Sequence, residues 1–198
     1  KVVLPKWSAI IAVFILSGCF AQSLNVHNAE LHSKAGYIAM DKGDWNGAMR
    51  QFAQAVVNED LGIADPKGRI LVNYEYGRSL GVICIYDKSE EALLRSKKLS
   101  EQLGESTHLQ LLELFLLNEK QGGYKVAEDY FFQLIPEIQK EKIQEKYPLS
   151  VADVYKKYAA ILEKSGRKME ASEWYKKANS IYSANPNAKP FGNPTPYG

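Results

Sequence analysis

The sequence predicts an all-α fold, a short right-handed superhelical solenoid of about four helix-turn-helix repeats. Residues 29–60 contain two amphipathic helical patterns joined by a short turn. Similar patterns recur three more times along the chain. The 198 residues are 45% hydrophobic and 24% charged, a composition typical of a globular protein with one sizeable core.

The first hairpin shows the pattern most clearly. In its first helix, apolar residues recur every three or four positions, which predicts one buried face; they are Leu31, Ala35, Ile38 and Ala39. Gly43 allows the positive φ that ends a helix, and Asp44 can cap the helix that follows. In the second helix, Ala48 and Ala55 flank Phe52 on one stripe, so that two helices can approach closely around one aromatic ring.

This hairpin resembles a tetratricopeptide repeat (TPR), in which a small residue lies midway along helix A and an Ala-x3-aromatic-x2-Ala run lies in helix B. The matching residues are Gly36, Ala39, Gly43, Ala48, Phe52 and Ala55. The sequence departs from the pattern at His32, where a large residue is usual, and at Asp60, where a proline is usual.

The remaining repeats follow from the small residue of helix B. Taking alanine as the reference, these positions are Ala48, Ala92, Ala127 and Ala171, with spacings of 44, 35 and 44 residues. In the second unit Ala92 falls three residues late, and Ser96 and Leu99 replace the aromatic residue and the alanine. We therefore expect eight helices in four antiparallel pairs.

The excess length over a 34-residue repeat is predicted to lie in two connections, residues 61–69 and 136–147. The second should extend helix B of the third unit, kinked at Pro136 and ended by Pro148. Gly104 should end the second helix B. Helix caps are predicted at Ser89, at Ser106 or Thr107, and at Ser150.

The N-terminal residues 1–18 are predicted to be a signal peptide, followed by a tether over residues 19–26. Lys1 and Lys6 flank a basic start, and the apolar run of residues 7–16 is too short to span a bilayer comfortably. The run ends in Leu16-Ser17-Gly18-Cys19, which resembles the bacterial lipobox. That resemblance implies cleavage before Cys19 and lipidation of its thiol, including palmitate. The alternative is an uncleaved membrane anchor.

Residue 20 bears on the location of such a lipoprotein. An Asp after the lipidated cysteine retains lipoproteins of some bacteria in the inner membrane, whereas Phe20 stands here. The resemblance therefore implies the periplasmic face of the outer membrane. The other cysteine, Cys84, lies in the apolar run of residues 80–86 and is expected to be a buried, inert thiol without a disulfide partner.

The helical domain is predicted over residues 27–182, and residues 183–198 form a proline-rich tail. The tail holds four of the eight prolines, Pro186, Pro190, Pro194 and Pro196, which predicts an extended or disordered segment. It is either a frayed end or a docking strand anchored by Phe191 and Tyr197.

The sequence lacks the motifs of a catalytic or metal site. His27 and His32 are five residues apart, off a single helical face, and no carboxylate or cysteine completes a zinc spacing. There is no Gly-x-Ser-x-Gly motif and no phosphate-cradling loop. We therefore expect no metal, no cofactor and no enzymatic activity. The net charge is +2, and loss of Lys1 and Lys6 would make it zero, which argues against nucleic acid as a partner.

The resemblance to TPR proteins implies a concave groove, lined by the A helices, that binds a peptide or a partner helix. The positions carried over are Ser33, Tyr37, Met40, Tyr74, Arg78, Leu112, Leu116 and Lys156. For Leu112 and Leu116, packing between repeats is the preferred interpretation. The Lys/Asn/Arg set that clamps a C-terminal carboxylate in chaperone-binding members is absent.

The resulting hypothesis is a lipid-anchored TPR scaffold or adaptor that binds other proteins of the bacterial cell envelope. One alternative is a structural accessory subunit of an envelope machine for pilus, secretion or barrel assembly. Another is a small envelope enzyme, which a cluster of buried, pKa-shifted groups in the groove would favour.

Overall fold

The computed structural model describes the backbone of residues 7–62, 65–189 and 195–197, with side chains from residue 22 onward. Within these ranges the chain contains nine α-helices and no strand. The helices are α1 (Trp7–Asp41), α2 (Trp45–Gly62), α3 (Pro66–Val82), α4 (Tyr86–Gln102), α5 (His108–Lys120), α6 (Tyr124–Lys140), α7 (Ile143–Lys146), α8 (Pro148–Lys164) and α9 (Lys168–Ala184).

Eight of these helices form four hairpins, as predicted, and α7 is a short additional turn of helix. The hairpins are α1–α2, α3–α4, α5–α6 and α8–α9, and each packs on the next one along the chain. We refer to α1, α3, α5 and α8 as the A helices and to their partners as the B helices. Each pair covers the apolar face of its neighbour, which is how a solenoid builds a continuous core.

The predicted helix ends at Gly43 and Gly104 are confirmed. Both glycines have a positive φ, +74° and +67°, two residues after the last residue of α1 and of α4. The backbone N–H of Gly47 donates a hydrogen bond of 2.8 Å to Oδ1 of Asp44, so Asp44 caps α2 as expected.

The small reference residue of the second unit is Ser89, and the prediction of Ala92 was wrong. The fourth residue of every B helix is small and buried; these residues are Ala48, Ser89, Ala127 and Ala171. Ser89 is therefore inside α4 and does not cap it. Its hydroxyl donates a hydrogen bond of 2.7 Å to the carbonyl of Gly77, which satisfies the one polar group that an alanine would lack.

The connection between α6 and α8 differs from the prediction. Helix α6 passes through Pro136 but ends at Lys140, because Lys142 adopts a left-handed conformation with φ of 53°. Pro148 is the first residue of α8, a position where its missing N–H costs nothing, and it does not end a helix. Ser150 consequently lies within α8, while Ser106 accepts a hydrogen bond of 3.4 Å from the N–H of His108 at the start of α5.

Three further expectations, two about burial and one about secondary structure, need correction. Leu31 and Ile38 are 50% and 55% exposed, because the buried face of α1 is formed by small residues such as Ala29 and Gly36. Cys84 is exposed in the turn between α3 and α4, with a positive φ of 64°. Residues 22–26, expected to be a tether, belong to α1.

Some predictions fall outside the described residues. These concern Lys1, Lys6, Pro190, Phe191 and Pro194, and also the side chain of Cys19. Among the residues whose side chains the structure describes, no helix combines the length and apolarity needed to cross a membrane.

Candidate protein-binding groove

The A helices present the predicted groove residues at repeating positions. Ser33, Tyr74, Leu112 and Lys156 each lie eight residues before the last residue of their helix, and Tyr37, Arg78 and Leu116 each lie four residues before it. Corresponding positions of consecutive helices in a solenoid form rows across the stack, so these residues lie in two neighbouring rows. Side-chain contacts join α1, α3 and α5 along these rows.

A buried cluster of charged groups on α3 and α5 lies among these positions. Glu75 on α3 and Glu113 on α5 are only 5% and 4% exposed. The guanidinium of Arg78 lies between them, with Nη1 2.8 Å from Oε2 of Glu75 and Nε 3.4 Å from Oε1 of Glu113. Two carboxylates thus share one guanidinium, and further hydrogen-bond donors are needed to satisfy them.

Two of the predicted groove tyrosines supply such donors. The hydroxyl of Tyr37 on α1 lies 3.5 Å from Oε1 of Glu75, and the hydroxyl of Tyr74 on α3 donates to Oε1 of Glu113 at 3.3 Å. Each contact joins one A helix to the next. The cluster therefore ties the first three repeats together on the same face that was predicted to be the groove.

The ionisation of these groups is set by their burial. Burial raises the pKa of Glu75, although the neighbouring Arg78 opposes this effect. Burial raises the pKa of Tyr37 and of Tyr74 as well, with further contributions from Glu75 and Glu113 respectively. Both hydroxyls consequently keep their protons at neutral pH and act as donors.

Arg78 keeps its positive charge in this cluster. Burial alone would lower the pKa of Arg78, but Tyr74, Glu75 and Glu113 together raise it above the ordinary value. The guanidinium is therefore a permanent donor at the centre of the cluster.

Residues 195–197 contact this cluster and complete it. Thr195 is 7% exposed. Its Oγ1 accepts a hydrogen bond of 2.8 Å from Nε of Arg78 and donates one of 2.8 Å to Oε1 of Glu113. The hydroxyl of Tyr197 donates a hydrogen bond of 2.6 Å to Oε2 of Glu113. The segment has no regular secondary structure, and the N–H of Tyr197 bonds to the carbonyl of Thr195 at 2.9 Å.

The ring of Tyr197 occupies a notch that depends on a glycine. It packs against both the cluster of Tyr74, Leu93, Leu114 and Leu117 and the larger core around Phe131. A Cβ on Gly81 would overlap the Tyr197 ring, so the absence of a side chain at this position makes room for it. The docking strand considered from the sequence is thus observed for Tyr197, and it uses Thr195 as its second anchor.

A small cavity of about 160 Å³ lies beside the docked segment. It is lined by Leu116, Glu119, Lys120, Lys157, Thr195, Pro196 and Tyr197. Leu116 is buried in the core on one side of it, in agreement with the packing interpretation, while Leu112 is half-buried against the same core. The lining includes one lysine from each of two A helices, Lys120 of α5 and Lys157 of α8.

The other predicted groove residues do not join the buried cluster. The hydroxyl of Ser33 donates to the carbonyl of Ala29 within its own helix at 2.8 Å. Met40 is half-buried, and Lys156 is exposed. The sequence analysis missed Glu75, Glu113 and Thr195. A signal was present for the two glutamates, since both lie seven residues before the last residue of an A helix.

The described residues contain no group of three or more His, Cys, Asp or Glu side chains arranged to hold a metal ion. The ring of His32 instead shares a hydrogen bond of 2.8 Å with Oε1 of Gln51 on α2. His32 therefore links the two helices of the first hairpin.

Comparisons with known proteins bear on the fold. No protein-family model and no curated protein matches the sequence. Among solved structures, a Podosopora anserina protein with nearly identical TPR-like repeats is similar, with a TM-score of 0.65 and 16% identity over 81% of this chain and 77% of that one. A second structure of these repeats gives a TM-score of 0.64 at 15% identity, with the same coverage.

A further similar structure is BtubC (BKLC) from P. vanneervenii, with a TM-score of 0.51 and 14% identity over 96% of both chains. At these identities the likeness concerns the fold alone. The predicted fold class, an all-α array of TPR-like helix-turn-helix repeats, is confirmed.

Proposed function

We propose that this protein is a scaffold that binds a non-helical segment of another polypeptide in the groove along its A helices. The observation that carries this proposal is the docking of residues 195–197, which are held by Arg78 and Glu113 and by the notch at Gly81. A surface that holds a peptide segment by side-chain hydrogen bonds and a ring pocket has the features of a peptide-binding site.

The buried cluster favours binding over catalysis. Buried groups with shifted pKa values are also typical of enzymatic sites, so catalysis is the competing interpretation of this cluster. Both oxygens of Glu113 accept hydrogen bonds from residues 195–197, and Arg78 is paired with both carboxylates. These groups serve one another and the docked segment, which is the behaviour of a recognition site.

The location in this proposal is the periplasmic face of the outer membrane, with the protein anchored through lipid on Cys19. The sequence Leu16-Ser17-Gly18-Cys19 supports lipidation, and Phe20 supports the outer membrane. The partners are then other envelope proteins.

Replacement of the cysteine tests the anchor. Cys19→Ser should move the protein from the membrane fraction to the soluble fraction of lysed cells, because the acyl chains provide the attachment. Cys84→Ser is the matched control, since it removes the other thiol, and it should stay with the membranes. Retention of Cys19→Ser in the membrane fraction would contradict lipid anchoring.

Affinity purification of the tagged protein from its own cells tests the scaffold function. An adaptor should bring down several partners in less than equimolar amounts. A single fixed and equimolar set would instead identify a permanent structural subunit of one envelope machine. A purification without any specific partner would refute the proposal.

A further inference from the structure

We propose that residues 195–197 are an intramolecular ligand that competes with the partner for the groove. We also infer that the partner segment carries the same chemistry, a serine or threonine two residues before a tyrosine. This inference rests on the proposed function, because it names the ligand class and the regulation of the same site.

Two features of the groove favour a tyrosine at this position, the carboxylate of Glu113 and the notch at Gly81. Its hydroxyl donates to a buried carboxylate, Oε2 of Glu113 at 2.6 Å, and a hydrogen bond to a charged acceptor is stronger than one between neutral groups. Its ring fills the notch at Gly81, which any larger residue there would close. A phenylalanine would fill the notch but leave the carboxylate oxygen without this donor.

The threonine is read by its ability to donate and accept through one atom. Thr195 Oγ1 accepts from Nε of Arg78 and donates to Oε1 of Glu113. A hydroxyl does both, whereas valine, the same shape without the hydroxyl, does neither. Pro196 between the two anchors is exposed, so the middle residue is not selected by the groove.

The cluster is costly to leave open. Glu113 is only 4% exposed, and its Oε2 accepts a hydrogen bond from the hydroxyl of Tyr197. Release of residues 195–197 uncovers a carboxylate that needs donors, so a segment with equivalent hydroxyls is the preferred replacement. Because the internal segment is tethered, it acts at an effective concentration in the millimolar range, and an external segment must overcome this advantage.

The experiment measures binding of a fluorescent peptide with the sequence of residues 193–198, Asn-Pro-Thr-Pro-Tyr-Gly, to the full chain in detergent. Tyr197→Ala should bind the peptide about 10-fold or more tightly than the unmodified protein, because its own segment no longer competes. Tyr197→Phe, which keeps the ring, should fall between the two. Tyr182→Ala, a tyrosine on α9 whose hydroxyl bonds to Asp153, is the control and should behave like the unmodified protein.

Peptide specificity gives the second arm. A peptide with phenylalanine in place of the tyrosine should bind Tyr197→Ala about 10-fold more weakly, and so should one with valine in place of the threonine. Equal affinity of the unmodified protein and Tyr197→Ala, or no binding to either, would overturn the inference. A dimer that Tyr197→Ala converts to a monomer would also overturn it, since the segment would then bind a second copy.

The two proposals can fail separately. If the peptide does not bind but affinity purification still yields specific partners, the scaffold function stands and the internal ligand does not. If the peptide binds as predicted but no partner is recovered, the groove recognises its own segment only and the scaffold function is refuted.

Discussion

Phe131 should be among the residues on which the stability of this fold depends most. Its side chain is fully buried on α6. The ring stacks on Tyr158 of α8 with centroids 3.9 Å apart and an interplanar angle of 16°, and it meets Trp174 of α9 edge to face at 5.0 Å. Further aromatic rings lie around it at centroid distances of 5.9, 5.6 and 6.3 Å; these are Phe115 on α5, Phe132 on α6 and Tyr155 on α8. One ring therefore joins the third repeat to the fourth.

The cost of removing this ring can be estimated from these contacts. A buried phenylalanine changed to alanine costs about 3–5 kcal/mol. Aromatic pairs add about 0.5–1.5 kcal/mol each beyond the area that they bury. With these aromatic partners, Phe131→Ala should lie near the upper end, at about 4–5 kcal/mol. This is a large share of the stability of an ordinary domain, which is about 5–15 kcal/mol.

Urea unfolding followed by far-ultraviolet circular dichroism measures this loss. The matched control is Phe132→Ala, the next residue on the same helix. Its side chain is 53% exposed, and its ring meets Phe131 and Tyr158 edge to face at 5.6 and 5.7 Å. Its replacement should cost about 1–2 kcal/mol, because much of its ring is already in water while two aromatic contacts are lost. Losses for the two variants that agree within about 1 kcal/mol would refute the assignment of Phe131 to the junction between repeats.

Three further predictions test other parts of the structure. Gly36→Val should cost about 2–3 kcal/mol by urea unfolding, since even a Cβ at position 36 would lie 2.7 Å from the buried ring of Phe52. Burial and the neighbouring Asp65 raise the pKa of Glu59, so the folded state binds this proton more readily than the unfolded chain, and stability is lost as pH rises through the folded pKa. Glu59→Gln should therefore stabilise the protein at neutral pH, with the gain vanishing in acid; a gain that persists in acid would be inconsistent with this reasoning. In a Cys19→Ser background, Cys84 should react with a thiol reagent without denaturant, because it is exposed, and protection until unfolding would contradict its placement.

The hairpins could be predicted from the sequence because their rules are local. A glycine with positive φ ends a helix, an Asp caps the next one, and a small residue faces a large one across the pair. All three apply between Gly36 and Phe52, within a stretch of fewer than twenty residues. The second unit was misaligned because serine was not considered as the small residue. Ser89 is buried like the alanines of the other units, since its hydroxyl has an acceptor in Gly77.

The periodicity of α1 was misread. Leu31 and Ile38 form an apolar stripe of the kind that is normally buried, but α2 packs against the face of small residues instead, where Gly36 meets the ring of Phe52. The contacts between the predicted groove positions could not be derived from the sequence. Charged residues such as Glu75 and Glu113 are read from sequence as solvated, and only tertiary contacts reveal that Arg78 allows their burial. The docking of Thr195 on Arg78 spans 117 residues of sequence, and no local pattern encodes it.

The central claim is that the groove binds another polypeptide, and photocrosslinking in living cells tests it most directly. A photoreactive residue at position 157, where Lys157 is exposed and lines the cavity beside residues 195–197, should form adducts with a distinct partner protein. The same residue at Met169, which is exposed on the B helix α9, should not. The predicted result is adducts at position 157 and none at position 169. Equal adducts at both positions, or no adducts at position 157, would contradict the account.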